Sequence, residues 1–191
     1  MAGSKRIGVF LDLQGTLGGD PLGDVTDFSF YPNSKRALKL FAGMGIRLFI
    51  ITNQSRIAKG LSSQADFDGK MGELIHELES EGIHIDKVFC CPHQKSDNCV
   101  CRKPSVFFPT IAQQEFNIEL SRSFFVGDIY RSDMGLAKQA GGIGVLVLTG
   151  QGKKSLEQMS SLDTAETYDK IHVATDILEA AEWITAKLRE D

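Results

Sequence analysis

Ile7-Gly-Val-Phe-Leu-Asp12-Leu-Gln14-Gly-Thr16-Leu17 is the stretch from which the rest of this chain is read. The apolar run Ile7–Leu11 ends in a carboxylate, and Gly15 and Thr16 then turn the chain. A short run without alternation suits a strand buried on both faces, as in a parallel sheet. In an open α/β sheet, ligands gather outside the carboxyl ends of the strands. Asp12 therefore stands where such a fold does its chemistry. A carboxylate there can act as a nucleophile or hold a hard cation such as Mg²⁺. For this stretch alone, a solvated Asp before an ordinary Gly turn is the competing reading.

Outward from that stretch, five more apolar segments read as strands: Arg47–Ile51, Lys87–Cys90, Ser123–Val126, Gly144–Leu148 and Ile171–Val173. Helical patterns lie between them. Asn33 and Ser34 are placed to cap a helix running to Met44 and stopped by Gly45. Ser63 opens a longer one carrying Phe67, Met71, Leu74, Ile75 and Leu78, closed by Gly82. Another follows Ser105, with Pro109 in or near its first turn, and others are expected over Met134–Gln139 and Asp176–Arg189. Strand–helix alternation of this kind predicts βαβ units and a mostly parallel sheet covered by helices. Residues 17–31 lack helical periodicity and read as a flap over the first turn or as a plain surface loop. Residues 149–168 read as an irregular, mobile loop.

At 191 residues, 42% hydrophobic and 24% charged, the chain suits one globular domain over residues 1–191. A net charge of −4 offers no field for nucleic acid or an acidic membrane surface. Lys5 and Arg6 lead directly into the first strand without an export signal, so a soluble, cytoplasmic protein is expected.

All four cysteines fall between positions 90 and 101. Cys91-Pro-His93, five residues, then Cys99-Val-Cys101 offers three thiolates and an imidazole, a set that closes a tetrahedral Zn²⁺ site with no position left for a catalytic water. Buried free thiols beside a surface His are the alternative. Strand alternation points Cys90 away from Cys91, as a small apolar filler. Arg102 and Lys103 follow at once and suit an oxyanion, because the cysteine loop fixes where they point; a solvated basic pair is the plainer reading. Thr52, at the end of the second strand, can donate its hydroxyl to an anion or sit in an ordinary turn. Asp128, after the fourth strand, can complete a Mg²⁺ site with Asp12, whereas Asp133 either supports that site from behind or caps the next helix.

In that order, a carboxylate, a hydroxyl, a cation and a carboxylate pair resemble the haloacid dehalogenase (HAD) superfamily. Its four motifs correspond here to Asp12-Leu-Gln14-Gly-Thr16, Thr52, Lys103, and Gly127-Asp128 through Asp133. Thr52-Asn53-Gln54-Ser55, the cysteine loop over 90–104 and Val145-Leu-Val-Leu-Thr-Gly150 are similar to the heptose-1,7-bisphosphate phosphatase and histidinol-phosphatase subfamily over residues 6–150. The resemblance implies a Rossmann-like three-layer α/β/α fold with little or no cap domain. It implies a Mg²⁺-dependent phosphatase of a small phosphorylated metabolite, a sugar phosphate in carbohydrate metabolism, acting as a monomer without nucleic-acid or membrane partners. Asp12 would attack phosphorus and carry an aspartyl-phosphate. Asp12, the backbone carbonyl of Gln14 and Asp128 would hold Mg²⁺, with Asp133 behind them. Thr52 and Lys103 would hold the phosphoryl oxygens. Thr16, Asn53 and Arg102 would bind substrate, and Cys91, His93, Cys99 and Cys101 would hold Zn²⁺.

Two positions depart from the family pattern. Gln14 replaces the Asp that acts as general acid and then as general base, a role worth about 10²–10⁴-fold in rate. An amide does neither near neutral pH. Slow hydrolysis, phosphoryl transfer to another acceptor, or binding without turnover are all compatible with Gln14. P-type ATPases, with Thr there, keep a longer-lived aspartyl-phosphate. Ile129 stands where the heptose enzymes often carry Lys, which weakens the heptose assignment more than the fold.

Overall fold

A computed structural model describes residues 5–161 and 168–190. Its centre is a parallel six-stranded sheet. The strands are β1 (Gly8–Leu11), β2 (Arg47–Asn53), β3 (Lys87–Cys91), β4 (Phe124–Gly127), β5 (Ile143–Val147) and β6 (Ile171–Ala174). They run in the order β3-β2-β1-β4-β5-β6. The order reverses at β1, which pairs with β2 through Leu11↔Ile50 and with β4 through Leu11↔Val126. Asp12 thus leaves the sheet at its switch point, where a crevice opens between diverging connections.

Side chains alternate across the sheet. Val9, Leu11, Leu48, Ile50, Val126 and Val147 point to one face. There they meet α1 (Ser34–Gly43), α3 (Gln64–Ser80) and α7 (Ile177–Glu190). Phe10, Phe49, Ile51 and Phe125 point to the other, against α4 (Phe107–Phe116) and α5 (Gly135–Ala140). Phe10 stacks between Phe49 and Phe125, with ring centroids 4.9 and 4.8 Å away. The result is the three-layer α/β/α arrangement expected of the βαβ pattern. Cys90 and Cys91 lie in opposite layers, as alternation requires.

Side-chain caps open two of the helices, α3 and α7. Ser63 Oγ accepts the Asp66 N–H at 3.0 Å while Asp66 Oδ2 accepts the Ser63 N–H at 3.0 Å, a reciprocal capping box for α3. Asp176 Oδ1 accepts the N–H groups of Leu178 and Glu179 at 2.9 and 3.0 Å, opening α7. Asn33 does not cap α1. Its amide donates instead to Asp176 Oδ2 at 2.7 Å, tying the start of α1 to that of α7.

The structure departs from the sequence reading in three places. A short helix α2 (Ser55–Ala58) follows β2 immediately. A π-helical turn, Tyr130–Met134, precedes α5. In the segment read as an irregular loop over 149–168, Gly152–Ser160 form helix α6; residues 162–167 lie outside the described residues. Its buried positions are Gly152 and Ser155, so no apolar stripe advertised it.

Candidate active site

Four strand ends converge beside β1. Asp12 follows β1, Thr52 lies near the end of β2, Lys103 follows the cysteine loop after β3, and Asp128 follows β4. Lys103 Nζ lies 2.5 Å from Asp12 Oδ1 and 2.7 Å from Asp133 Oδ1, with only 4% of its side chain exposed. A buried ammonium persists only where opposite charges compensate its lost hydration. Burial works to lower the Lys103 pKa, but the charges of Asp12 and Asp133 prevail and hold it above the usual lysine range. Burial likewise pushes the Asp12 carboxyl up to about 6, against the pull of Lys103. Asp128 is pushed up to about 8 by burial, with the charges of Asp12 and Asp133 adding to it.

Asp128 is clasped by backbone. Its Oδ2 accepts the Gln151 N–H at 2.7 Å, whereas Oδ1 is buried without a hydrogen-bond partner. A β-carbon on Gly150 would lie 2.2 Å from Asp128 Oδ2, and one on Gly15 2.3 Å from the same oxygen. Both glycines have positive φ, so closeness and conformation together demand glycine. Thr149 Oγ1 donates to the Gly15 carbonyl at 2.6 Å, and Ser155 Oγ donates to the Asp128 carbonyl at 2.7 Å. Asp133 accepts the Ile129 N–H at 2.9 Å as well as facing Lys103, and it does not cap α5.

Carboxylate oxygens of Asp12, Asp128 and Asp133 lie within 4.8 Å of one another. Three crowded carboxylates, two of them pushed toward protonation, with an unpartnered buried oxygen, are the donor set a hard divalent cation satisfies. The residues therefore fit Mg²⁺.

Next to this cluster opens a cavity of about 680 Å³, lined by Asp12, Gln14, Thr52, Asn53, Arg102 and Lys103 among others. Pro21 and Leu22 of the 17–31 segment form part of its wall. Gln14 ties that segment down: its amide N–H groups donate to the carbonyls of Asp20 and Gly23 at 2.9 and 3.2 Å. Its Oε1 accepts from Gln54 Nε2 at 3.0 Å, and the same Gln54 nitrogen donates to Thr52 Oγ1 at 2.8 Å. Asn53 is bound to the backbone of Lys103 in both directions, accepting its N–H at 3.1 Å and donating to its carbonyl at 3.4 Å. Thr16 is fully buried, and its hydroxyl donates to Asp12 Oδ2 at 3.3 Å. Arg102 reaches the cavity while donating from Nη1 to the His93 carbonyl at 3.0 Å.

The cysteine loop brings its four candidate ligands together. Cys91 Sγ lies 3.6 Å from Cys99 Sγ, and Cys101 Sγ lies 3.7 Å from Cys99 Sγ. His93 Nδ1 is 3.8 Å from Cys91 Sγ and 3.3 Å from Cys101 Sγ. A zinc tetrahedron with Zn–S near 2.3 Å has S···S edges of about 3.8 Å. The set fits the ion. Against the burial that would raise it, the Cys91 thiol and the N–H groups of Cys101 and Arg102 bring Cys99 down to about 7, favouring the thiolate that a metal needs.

Similarity to known proteins agrees with this geometry. The HAD-hydrolase-like family model matches residues 100–180. The D-glycero-alpha-D-manno-heptose-1,7-bisphosphate 7-phosphatase of Campylobacter jejuni is 34% identical over 152 residues, covering 78% of this chain and 86% of that protein. The beta-anomer counterpart of Vibrio cholerae is 32% identical over 165 residues, covering 82% and 88%. The chain belongs to the HAD-like phosphatases. Among solved HAD-like structures, the D,D-heptose 1,7-bisphosphate phosphatase from B. bronchiseptica, complexed with magnesium and phosphate, superposes with a TM-score of 0.84 at 28% identity, covering 97% of this chain and 99% of that one.

For this HAD-like phosphatase, sequence reasoning passed over Gln54, Thr149, Gln151 and Ser155. Gln54 is buried beside Thr52 (3% exposed), and its place in the Thr52-Asn53-Gln54-Ser55 stretch was the available signal. Nothing local marks Gln151, because it acts through its backbone N–H.

Proposed function

We propose that this chain is a Mg²⁺-dependent phosphatase of a small phosphorylated sugar, working in the cytoplasm through phosphorylation of Asp12 and slowed by Gln14. The observation that supports it best is the Asp12–Lys103–Asp133 chain of ion pairs beside an unpartnered Asp128 oxygen, with Asp12 and Lys103 lining a cavity large enough for a sugar phosphate. Asp12 is aimed by Thr16 and Lys103. Lys103 keeps it ionised and draws in phosphoryl oxygens, with the Thr52 hydroxyl as a further donor. Asn53 sets the Lys103 backbone, and Arg102 meets the substrate from the cysteine loop. Mg²⁺, held by Asp12, Asp128 and the Gln14 carbonyl with Asp133 behind, would neutralise phosphoryl charge. Zn²⁺ on Cys91, His93, Cys99 and Cys101 would hold the loop that carries Arg102 and Lys103.

Phosphate release from a panel of sugar phosphates, including heptose bisphosphates, tests the reading. Turnover that requires Mg²⁺ and disappears in Asp12→Asn is expected; its absence across the panel would refute it. The engagement of the Gln14 amide with Gln54, Asp20 and Gly23 favours two other readings, a phosphotransferase, whose rate added alcohols or sugars would raise, and a phosphometabolite-binding protein. Calorimetric binding of a sugar phosphate without turnover would select the latter.

A further inference from the structure

Resting on the phosphatase reading above, we propose that this pocket prefers phosphoryl compounds whose leaving group departs as a stable anion, acyl and aryl phosphates, over alkyl phosphate esters, and that phosphorylated Asp12 accumulates during turnover. The relatives' 7-phosphate is an ester of a primary alcohol, the class this pocket is least equipped to release.

The inference comes from the proton inventory of the cavity. Gln14 stands two residues beyond Asp12 at its wall, and both polar atoms of its amide are engaged. Reversing the amide would set its oxygen against the carbonyls of Asp20 and Gly23, so the orientation follows from its neighbours. An amide neither gains nor loses a proton near neutrality. Among the described residues lining the cavity, Asp12 is the sole carboxylate and no imidazole is present. The carboxylates of the neighbouring segment are turned elsewhere. Asp20 Oδ1 accepts the Leu22 N–H at 2.9 Å; Asp24 accepts from Thr26 and pairs with Arg56. Lys103 is held between Asp12 and Asp133. Cys99 belongs to the cysteine cluster, and Lys95, exposed on the cysteine loop, is the remaining proton carrier.

In the first step a lone pair of an Asp12 oxygen forms the bond to phosphorus. The bond from phosphorus to the leaving oxygen breaks, and its electrons stay on that oxygen. With no buried acid held in the cavity to protonate it, and Lys95 exposed on the cysteine loop, the oxygen leaves as an anion. A carboxylate or phenolate tolerates this, with conjugate acids near pKa 4 and 10. An alkoxide, about as basic as hydroxide with water at 15.7, does not. In the second step water attacks phosphorus, the bond to Asp12 breaks to restore the carboxylate, and the water proton passes to solvent. No side chain takes it, so the phosphorylated enzyme accumulates.

The test uses the full chain with Mg²⁺ on acetyl phosphate, p-nitrophenyl phosphate and two alkyl esters, glycerol phosphate and a primary sugar phosphate. Turnover is read alongside intact protein mass. Acetyl and p-nitrophenyl phosphate are expected to exceed the alkyl esters by about 10²–10⁴-fold, with a phosphorylated species at steady state that Asp12→Asn lacks. Gln14→Asp is expected to narrow the gap and clear the adduct. Alkyl esters turned over within about tenfold of acetyl phosphate, unchanged in Gln14→Asp, would overturn the inference and leave the phosphatase reading standing. A steeper leaving-group dependence in Lys95→Met would also overturn it, by identifying Lys95 as the acid. No turnover and no adduct with any compound would overturn both.

Discussion

Lys103 is a buried cation paired with two buried carboxylates. Its ammonium separates Asp12 from Asp133, and all three side chains are at least 89% buried (4%, 11% and 4% exposed). Removing one partner of a buried ion pair strands the others, at a cost of about 3–5 kcal/mol. Lys103→Met is therefore expected to lose that much stability in urea denaturation at pH 8. The loss should be smaller at pH 5, where protonation of Asp12 relieves its repulsion with the neighbouring carboxylates. Activity should fall by about 10² or more, because a charge aimed at the phosphoryl group is gone. Gly150→Ala probes the same centre from the backbone. Its new β-carbon would lie 2.2 Å from Asp128 Oδ2, so Mg²⁺ affinity should drop with little change in helix content by circular dichroism.

At the scale of elements, the cysteine loop meets the core through Cys91 and Cys101 while residues 95–98 are exposed. It carries Arg102 and Lys103 into the cavity, and Arg102 is braced on the His93 carbonyl. If Zn²⁺ closes this loop, elemental analysis should find one zinc per chain. Chelation or Cys99→Ser should lower Tm and raise KM more than it lowers kcat, since Asp12 and Asp128 stand on other strands. The start of α3 makes a smaller, cleaner prediction. Ser63→Ala removes the Oγ half of its capping box, leaving the Asp66 carboxylate on the backbone N–H of residue 63, and should cost about 1 kcal/mol without touching activity.

For the whole molecule, the raised carboxyl pKa values couple folding to pH. Asp12 and Asp128 hold their protons to about 6 and about 8 in the folded chain, and release them near 4 when unfolded. Between pH 4 and 8 the folded state therefore binds more protons, so the metal-free protein should lose stability as pH rises through that window. Mg²⁺ needs these carboxylates ionised, so the Tm gain from added Mg²⁺ should grow over the same range. Glu81, held down at about 2 by hydrogen bonds from Lys35 and Lys39, works in the opposite sense below that window; His172, lowered by burial, and Cys99, brought down to about 7, oppose it inside the window, but over a narrower range than the two carboxyls. A thermal melt series at pH 5, 6, 7 and 8, with and without Mg²⁺, checks the sign. A metal-free Tm that climbs from pH 5 to 8 would contradict it.

The parallel sheet was legible in the chain because its strands are continuous apolar runs buried on both faces, and their ends carry the polar residues that face the crevice. The cysteine cluster was legible for a similar reason: its four side chains lie close enough in sequence for spacing alone to imply convergence. Pairing across the sheet and burial then decided the rest. Only the fold sets Lys103 between Asp12 and Asp133, shuts Thr16 away from the cavity, turns Asn53 onto the Lys103 backbone and wraps Thr149–Gln151 around Asp128. The Lys103 ion pairs join charges far apart in sequence, and the other contacts run through backbone atoms and buried hydroxyls, groups that every residue or many residues possess. Local pattern therefore carries no mark of them, and their positions follow from how the layers pack.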